Sequence, residues 1–169
     1  FDRDGHIQAY ELLFRSVAPA AGRPFDGNHA TANVIVNALT EFGLDNLVGP
    51  HRAFINFTAD MLRDDTVRLL PRERVVIEIL EDIAIDDKLV ESVAAMARDG
   101  YELALDDFVF RPEWKPLIRL ASTIKIDVLA LDAERVATYA EQFKAAGLTI
   151  LAEKVETHDQ HQQMLDLGF

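Results

Sequence analysis

Two adjacent carboxylates, Asp106 and Asp107, follow an apolar stretch at 101–105 that is typical of a buried strand. Neighbouring anions at the end of such a strand repel each other and lose hydration, so one of them is expected to be protonated unless a cation is close. A divalent metal ion would keep both carboxylates ionised. The pair therefore indicates a candidate metal site.

Similar polar side chains stand at or near the ends of the other apolar stretches. Glu78 lies within 75–80, which is otherwise apolar, and an ionised carboxylate there is costly unless it is paired or metal-bound. Taken singly, each of these residues is more often structural, as a salt bridge, a loop cap or a helix start. Their coincidence favours a site, and the candidate set is Glu11, Asn56, Glu78, Asp106, Asp107, Lys125, Glu153 and Glu156.

The candidate ligands are carboxylate oxygens and one amide, without His or Cys, and this favours Mg²⁺ or Mn²⁺ over zinc. Several carboxylates can hold two ions, with Asp106 as the natural bridge, and such a pair of ions promotes phosphoryl transfer. Lys125 would then orient or deprotonate the attacking water, or stabilise the charge that develops.

The order of the elements predicts an α/β fold. Asp4-Gly5 predicts a hairpin turn whose incoming strand lies before residue 1, and a further strand is expected after residue 169. Strands are expected at 6–14, 53–57, 75–80, 101–105, 123–128 and 148–152. Helices are expected at 29–42, 86–98, 113–121, 132–146 and 158–167, with a shorter helical piece that contains Met61, Leu62, Leu69 and Leu70.

Alternating strands and amphipathic helices indicate parallel strands with helices packed outside. Six strands and the two expected beyond the ends make eight, the number that closes a (β/α)8 TIM-like barrel, here with one antiparallel strand at its start. A doubly wound open sheet is the alternative. We expect one domain over 1–169, truncated at both ends.

Composition limits the possible functions. The formal net charge of −12 argues against general DNA, RNA or anionic-membrane binding, because such a surface repels phosphates. The chain contains no cysteine, so disulfides and thiolate chemistry are excluded. No apolar run is long enough to span a bilayer and no signal peptide is visible, which makes the cytoplasm the expected location.

Six short motifs follow one another along nearly the whole chain. They are Tyr10-Glu-Leu-Leu-Phe-Arg15, Ile55-Asn-Phe-Thr58, Ile77-Glu-Ile-Leu-Glu81, Leu105-Asp-Asp-Phe108, Ile124-Lys-Ile-Asp127 and Ala152-Glu-Lys-Val-Glu-Thr157. This ordered set resembles the EAL domain, the cyclic di-GMP phosphodiesterase family of bacterial signalling proteins. It is closest to the subgroup in which an EAL domain precedes an HDOD domain. The resemblance implies a barrel with one antiparallel strand, cyclic di-GMP as substrate, two Mg²⁺ or Mn²⁺ ions, a homodimer and an attached HDOD domain.

The resemblance also implies roles for individual residues. Lys125 would assist the attacking water, Glu81 would brace the loop after the central strand, and Glu156 is a further acid of the catalytic site. Arg15 and Leu13 would contact the substrate, with Arg15 on a phosphate. The implied metal ligands are Glu11, Asn56, Glu78, Asp106, Asp107 and Glu153.

Three departures from the family pattern bear on activity. Leu12 stands where the family signature has Ala, and Val109-Phe-Arg-Pro112 replaces a Gly-Thr-Gly loop. Lys154 replaces the Gly after Glu153, and it either takes the place of the second metal electrostatically or points away. The segment between Asn56 and Glu78 is also shorter than in the usual active enzymes, by about three helical turns.

Three functional hypotheses follow. The first is metal-dependent hydrolysis of cyclic di-GMP to the linear dinucleotide pGpG. The second is a catalytically degenerate EAL domain that binds nucleotide or a partner protein in signal transduction. An unrelated metal-assisted barrel lyase is a weaker third hypothesis, because Arg15 beside a metal cluster favours a phosphate ligand.

Overall fold

The computed structural model describes residues 1–13 and 43–169 of the chain. Within them, six strands form one sheet in the sequential order β1 to β6, and every neighbouring pair is parallel. A doubly wound sheet reverses its strand order at a switch point, whereas a barrel adds each strand beside the previous one. The sequential order therefore confirms the α/β barrel architecture, as a half-barrel. The expected antiparallel strand lies before residue 1 and stays a prediction.

The strands begin and end close to the predicted positions, except that the first is shorter. They are β1 (Ala9–Leu12), β2 (Arg52–Phe57), β3 (Val75–Ile79), β4 (Glu102–Leu105), β5 (Thr123–Asp127) and β6 (Thr149–Glu153). All five residues of β3 are buried. A strand in the middle of a parallel sheet is covered on both faces, which explains why its sequence is continuously apolar apart from Glu78.

The helices are α1 (Leu44–Val48), α2 (Ala59–Arg63), α3 (Asp87–Arg98), α4 (Lys115–Ile118), α5 (Ala133–Ala145) and α6 (His158–Leu167). Two 3₁₀ helices, Asp65–Leu69 and Pro112–Trp114, precede β3 and α4 respectively. The helix predicted at 29–42 lies outside the described residues. No described helix has both the length and the apolarity needed to cross a membrane.

Side-chain caps explain where the longer helices begin. Asp86 accepts a hydrogen bond from the Leu89 amide at the start of α3 (2.8 Å), and Asp132 does the same for Arg135 at α5 (2.8 Å). Thr157 and Gln160 form a reciprocal capping box at α6. Each cap satisfies amides that lack a partner in the first turn, so these helix starts were predictable to within a residue.

The predicted helix at 113–121 was wrong in extent, and α1 was not predicted. Pro116 has no amide hydrogen to donate four residues back to Pro112, so the first turn closes as a 3₁₀ helix with the Lys115 amide on the Pro112 carbonyl. The α-helix that follows has four residues. Gly43, which directly follows the helix predicted at 29–42, is the residue before α1 and has a φ of 74°.

An aromatic group packs beneath the loop that follows β4. Phe108 makes edge contacts with Trp114, Tyr139 and Phe143, with ring centroids 5.2 to 6.0 Å apart. Phe108 and Trp114 are each 1% exposed. Buried aromatic pairs in edge-to-face geometry add specific packing energy to their area burial. The residue two positions after Asp106 is thereby anchored in the core.

Candidate metal centre

The carboxyl ends of the parallel strands bring six polar side chains to one edge of the sheet. Asn56 and Glu78 are register partners on β2 and β3, and Lys125 lies on β5. Asp106 follows β4, and its amide donates to the Ile79 carbonyl (3.0 Å), which extends the pairing of β4 with β3. We call these residues the inner cluster: Glu11, Asn56, Glu78, Asp106, Lys125 and Glu153.

Lys125 is the centre of the inner cluster. Its Nζ lies 2.5 Å from Glu78 Oε1, 2.7 Å from Asp106 Oδ1, 2.9 Å from Glu153 Oε1 and 3.3 Å from Glu11 Oε2. The Lys125 side chain is 3% exposed and that of Glu78 is fully buried. One ammonium group is therefore shared by four carboxyl groups, and none of the four has a separate positively charged partner within the cluster.

The electrostatics reflect this shortage of positive charge. Burial raises the pKa of Glu78 to about 8, although Lys125 acts in the opposite direction. Burial likewise raises the pKa of Glu153 to about 7, again against the effect of Lys125. Burial alone would lower the pKa of Lys125, but the charge of Glu78 and the close contacts with Asp106, Glu78 and Glu153 together raise it. The ammonium form of Lys125 is thus strongly favoured in this arrangement.

Several buried oxygen atoms of the inner cluster have no hydrogen-bond partner among the described residues. They are Glu78 Oε2, Asn56 Oδ1 and Glu153 Oε2. Glu78 Oε1 contacts the Lys125 ammonium as an ion pair without hydrogen-bond angles. Carboxylate oxygens of Glu11, Glu78 and Asp106 lie within 4.8 Å of one another. Unpaired buried polar atoms are costly, and an all-oxygen set of this kind fits a hard divalent cation.

Asp107 points to a different lysine from its neighbour Asp106. Its Oδ1 lies 3.3 Å from Lys154 Nζ, and Lys154 also contacts Asp127 Oδ2. Asp127 additionally accepts hydrogen bonds from the amides of Leu129 and Ala130 (2.8 and 3.1 Å). We call Asp107 and Asp127 the outer pair. The cations expected beside Asp106 and Asp107 are therefore present as two separate lysines.

Asp127 was not among the candidates from the sequence, although it lies in the motif Ile124-Lys-Ile-Asp127. It is the last residue of β5 and the register partner of Glu153. Its side chain is 13% exposed, and its pKa is lowered because the Lys154 ammonium and two amides outweigh burial. A carboxylate that ends a parallel strand is delivered to the same edge as the inner cluster. That position was the signal that could have found it.

The structure does not bring every predicted residue into the inner cluster. Glu81 and Glu156 are exposed; the Glu81 carbonyl accepts from Arg111 Nη2 (2.5 Å), and the Glu156 amide donates to Gln160 Oε1 (2.9 Å). Leu13 is 65% exposed. Arg15 lies outside the described residues.

The loop that replaces the expected glycine-rich segment is fixed at both ends. The Phe108 amide donates to the Lys125 carbonyl (3.0 Å), and the Phe110 amide donates to the Tyr139 hydroxyl (3.1 Å). The Arg111 guanidinium lies 5.5 Å from the centroid of the Trp114 ring. The two amide contacts hold the backbone of the loop, and the Arg111 guanidinium adds a side-chain contact that a glycine-rich loop lacks.

Comparison with known proteins finds no protein-family model that matches the chain. Cyclic di-GMP phosphodiesterase CdgJ of Vibrio cholerae is 36% identical over 167 residues, which cover 97% of this chain and 39% of CdgJ. The uncharacterized protein YuxH of Bacillus subtilis is 34% identical over 174 residues, which cover 100% of this chain and 42% of YuxH. The chain thus spans about two fifths of the length of these curated relatives.

A solved structure with the same fold is the Bacillus subtilis YkuI protein, which has an EAL domain and was crystallised with its substrate cyclic di-GMP and calcium. It superposes with a TM-score of 0.68 at 22% sequence identity, over 89% of this chain and 43% of YkuI. At this identity the likeness shows the fold. The half-barrel of six parallel strands is accordingly the fold of an EAL domain.

Proposed function

The chain belongs to the EAL domains, and we propose that it hydrolyses cyclic di-GMP to linear pGpG in a reaction that needs Mg²⁺ or Mn²⁺. The observation that carries the proposal is the inner cluster, in which four carboxyl groups share one buried ammonium and keep unpaired oxygens. In this reaction one water is consumed: its oxygen bonds to phosphorus, the P–O3′ bond breaks and O3′ takes a proton. CdgJ, whose name states this activity, supports the choice of substrate.

The inner cluster would hold the metal through Glu11, Asn56, Glu78, Asp106 and Glu153, and Asp107 is the proposed ligand of a second ion wherever two are bound. A bound divalent ion supplies Lewis acidity to the phosphate and lowers the pKa of water near it. Calcium in the YkuI complex supports a divalent cation at such a site. Mg²⁺ or Mn²⁺ is proposed for this chain because its ligands are all oxygens.

The chain's own residues bind, orient and stabilise charge. Lys125 places a fixed ammonium among the metal-binding carboxylates, where it orients the attacking water and stabilises negative charge on the phosphate oxygens. We assign the phosphate contact to Arg15, a substrate contact to Leu13 and an acidic catalytic role to Glu156. For Glu81 we propose a brace of the loop after β4, and its carbonyl contact with Arg111 supports this role.

A second candidate function is a nucleotide-binding or protein-interaction module that signals without turnover. The observation that favours it is Lys154, whose ammonium contacts both acids of the outer pair. The loop Val109-Phe-Arg-Pro112 also lacks the expected glycines. In either case we propose a cytoplasmic signalling protein that works as a homodimer with an attached or partner HDOD domain.

A turnover assay tests the proposal. The purified protein is incubated with cyclic di-GMP in Mg²⁺, Mn²⁺ or EDTA, and pGpG is separated by chromatography. We expect pGpG with either metal and none in EDTA. Glu78→Gln removes a charged ligand and should abolish turnover, whereas Glu91→Gln on the exposed side of α3 is the matched control and should not.

The same samples decide between the two candidates. Cyclic di-GMP that binds in Mn²⁺ but stays uncut contradicts the hydrolase and supports the nucleotide-binding module. Absence of both binding and cleavage contradicts the hydrolase and the ligand-sensing form of the second candidate, and leaves protein interaction as the remaining function. Calorimetry on the same protein measures the binding.

A further inference from the structure

Lys154 is held in a backbone conformation that a lysine rarely adopts. Its φ is 57°, and the only other described non-glycine residue with a positive φ is Asp107, with 39°. The left-handed region costs free energy for any residue with a Cβ, so surrounding contacts must stabilise it. Here the two residues with this conformation contact each other through their charged side chains. The ion pair between Lys154 and Asp107 therefore joins the two residues that have this strained backbone conformation.

The Lys154 ammonium contacts both carboxylates of the outer pair. Asp107 follows β4 by two residues, Asp127 ends the neighbouring strand β5, and Lys154 directly follows Glu153 of the inner cluster. The side chain of Lys154 is 51% exposed, and its ammonium contacts one carboxylate oxygen of each acid of the outer pair. Two carboxylates that already share an ammonium have less negative charge to offer a further ion, because like-charged cations compete for them.

The inner cluster differs because its ammonium leaves oxygens unpaired. Glu78 is fully buried, and its Oε2 has no hydrogen-bond partner among the described residues. Lys125 neutralises one charge among four carboxyl groups. A divalent cation can therefore bind oxygens of the inner cluster that have no hydrogen-bond partner among the described residues. At the outer pair it would have to displace the Lys154 ammonium.

We propose that Lys154 is a tethered cation at the outer pair, so that each chain binds one divalent ion at the inner cluster and admits a second only when this ammonium is removed. The proposal rests on the metal binding of the proposed function and deepens it by fixing the number of ions. It makes Lys154 a positioning residue that acts through Asp107 and Asp127. Hydrolysis by this chain would then proceed with the ammonium in place of the outer ion.

Metal stoichiometry tests this inference without any nucleotide. Mn²⁺ binding is measured by calorimetry and by metal analysis after gel filtration, on the protein and on Lys154→Asn, which removes the charge and tolerates a positive φ. We expect one Mn²⁺ per chain for the protein and two for Lys154→Asn. Lys154→Gly should also bind two, whereas Lys154→Arg keeps the positive charge and should bind one.

Three results would overturn the inference: two ions per chain in the unmodified protein, one ion in both neutral variants, or no Mn²⁺ in any of them. Circular dichroism and thermal unfolding of each variant show that the chain is folded when the ions are counted. The count does not depend on turnover. A protein that binds one Mn²⁺ but leaves cyclic di-GMP uncut contradicts the hydrolase and still supports the tethered cation.

Discussion

At the scale of single residues, the site depends on where two lysines direct their charge. Lys125 is buried and serves four carboxyl groups, whereas Lys154 is half exposed and serves two. The two lysines therefore leave different amounts of negative charge uncompensated. At the inner cluster one ammonium serves four carboxyl groups and a metal ion is favoured, whereas at the outer pair one ammonium serves two carboxylates and less negative charge remains.

Replacing Lys125 with methionine should destabilise the metal-free protein. The change leaves the buried Glu78 and the partly buried Asp106 and Glu153 without their shared cation, and breaking a buried ion pair in this way typically costs about 3 kcal/mol. Urea unfolding in EDTA measures the loss. Because Mn²⁺ supplies positive charge at the same carboxylates, its addition should recover a large part of the lost stability.

The matched control for this experiment is Lys115→Met, which removes an exposed lysine from α4 and should change stability little. If Lys125→Met is as stable in EDTA as the Lys115 variant, the shared ammonium does not stabilise the folded chain. If Mn²⁺ stabilises both variants equally, the ion does not replace the charge of Lys125.

The sequence predicted the members of the inner cluster but not their partners. Glu78 stood out because a carboxylate in a fully apolar strand must be compensated, and the structure supplies the compensation from Lys125. Whether Lys125 would meet one acid or four depends on the register of neighbouring strands, which no local pattern encodes. The direction of Lys154 depends on its positive φ. The Gly that the family pattern has at this position was the one signal of that conformation, because glycine adopts a positive φ freely.

At the scale of elements, helix α3 shows how one side chain fixes an element beside the sheet. Asp86 caps the helix through the Leu89 amide and also pairs with Arg63 of α2 (2.8 Å). Leu89 and Val93 of the same helix are fully buried. The cap therefore sets the first turn of the helix whose apolar face covers the sheet.

Asp86→Ala should lower the melting temperature at neutral pH, and the difference should narrow in acid. The pKa of Asp86 is lowered by the Leu89 amide and then by Arg63. Because the folded-state pKa lies below the ordinary value of 3.8, the stabilisation is present above that value and is lost as the pH falls through the folded-state pKa.

Thermal unfolding of the Asp86→Ala variant from pH 7 to pH 3 measures this dependence. Asp82→Ala removes an exposed acid from the preceding turn and is the control for general changes in charge. A difference in melting temperature that stays constant over this pH range would show that the Asp86 carboxylate charge does not contribute to the cap.

Element boundaries were predictable where local chemistry decides them and unpredictable elsewhere. Asp132 and Thr157 marked helix starts because their side chains cap amides within three residues. The division of 113–121 into a 3₁₀ turn and a short α-helix follows from Pro116, which the apolar spacing alone did not reveal. The five-residue helix α1 buries only Val48, too weak a pattern for recognition in the sequence.

At the scale of the whole molecule, the sequential order of six parallel strands collects the carboxyl ends at one edge. The sequence predicted this architecture because apolar stretches alternate with amphipathic helices, and the motif order pointed to the same fold. The arrangement places an excess of negative charge at this edge. Six carboxyl groups, those of Glu11, Glu78, Asp106, Asp107, Asp127 and Glu153, meet two ammonium groups at this edge, in a chain of net charge −12.

This excess of negative charge predicts that cyclic di-GMP binding requires a divalent cation. The ligand carries two phosphodiester charges, and an acidic edge without metal repels them. We expect the dissociation constant in EDTA to be at least about tenfold higher than in Mn²⁺, equivalent to about 1.4 kcal/mol. Calorimetry at equal ionic strength measures both values.

Raising the NaCl concentration in EDTA should recover part of the affinity, because salt screens repulsion between exposed charges. An affinity that is equal with and without Mn²⁺ would show that the nucleotide binds away from the inner cluster.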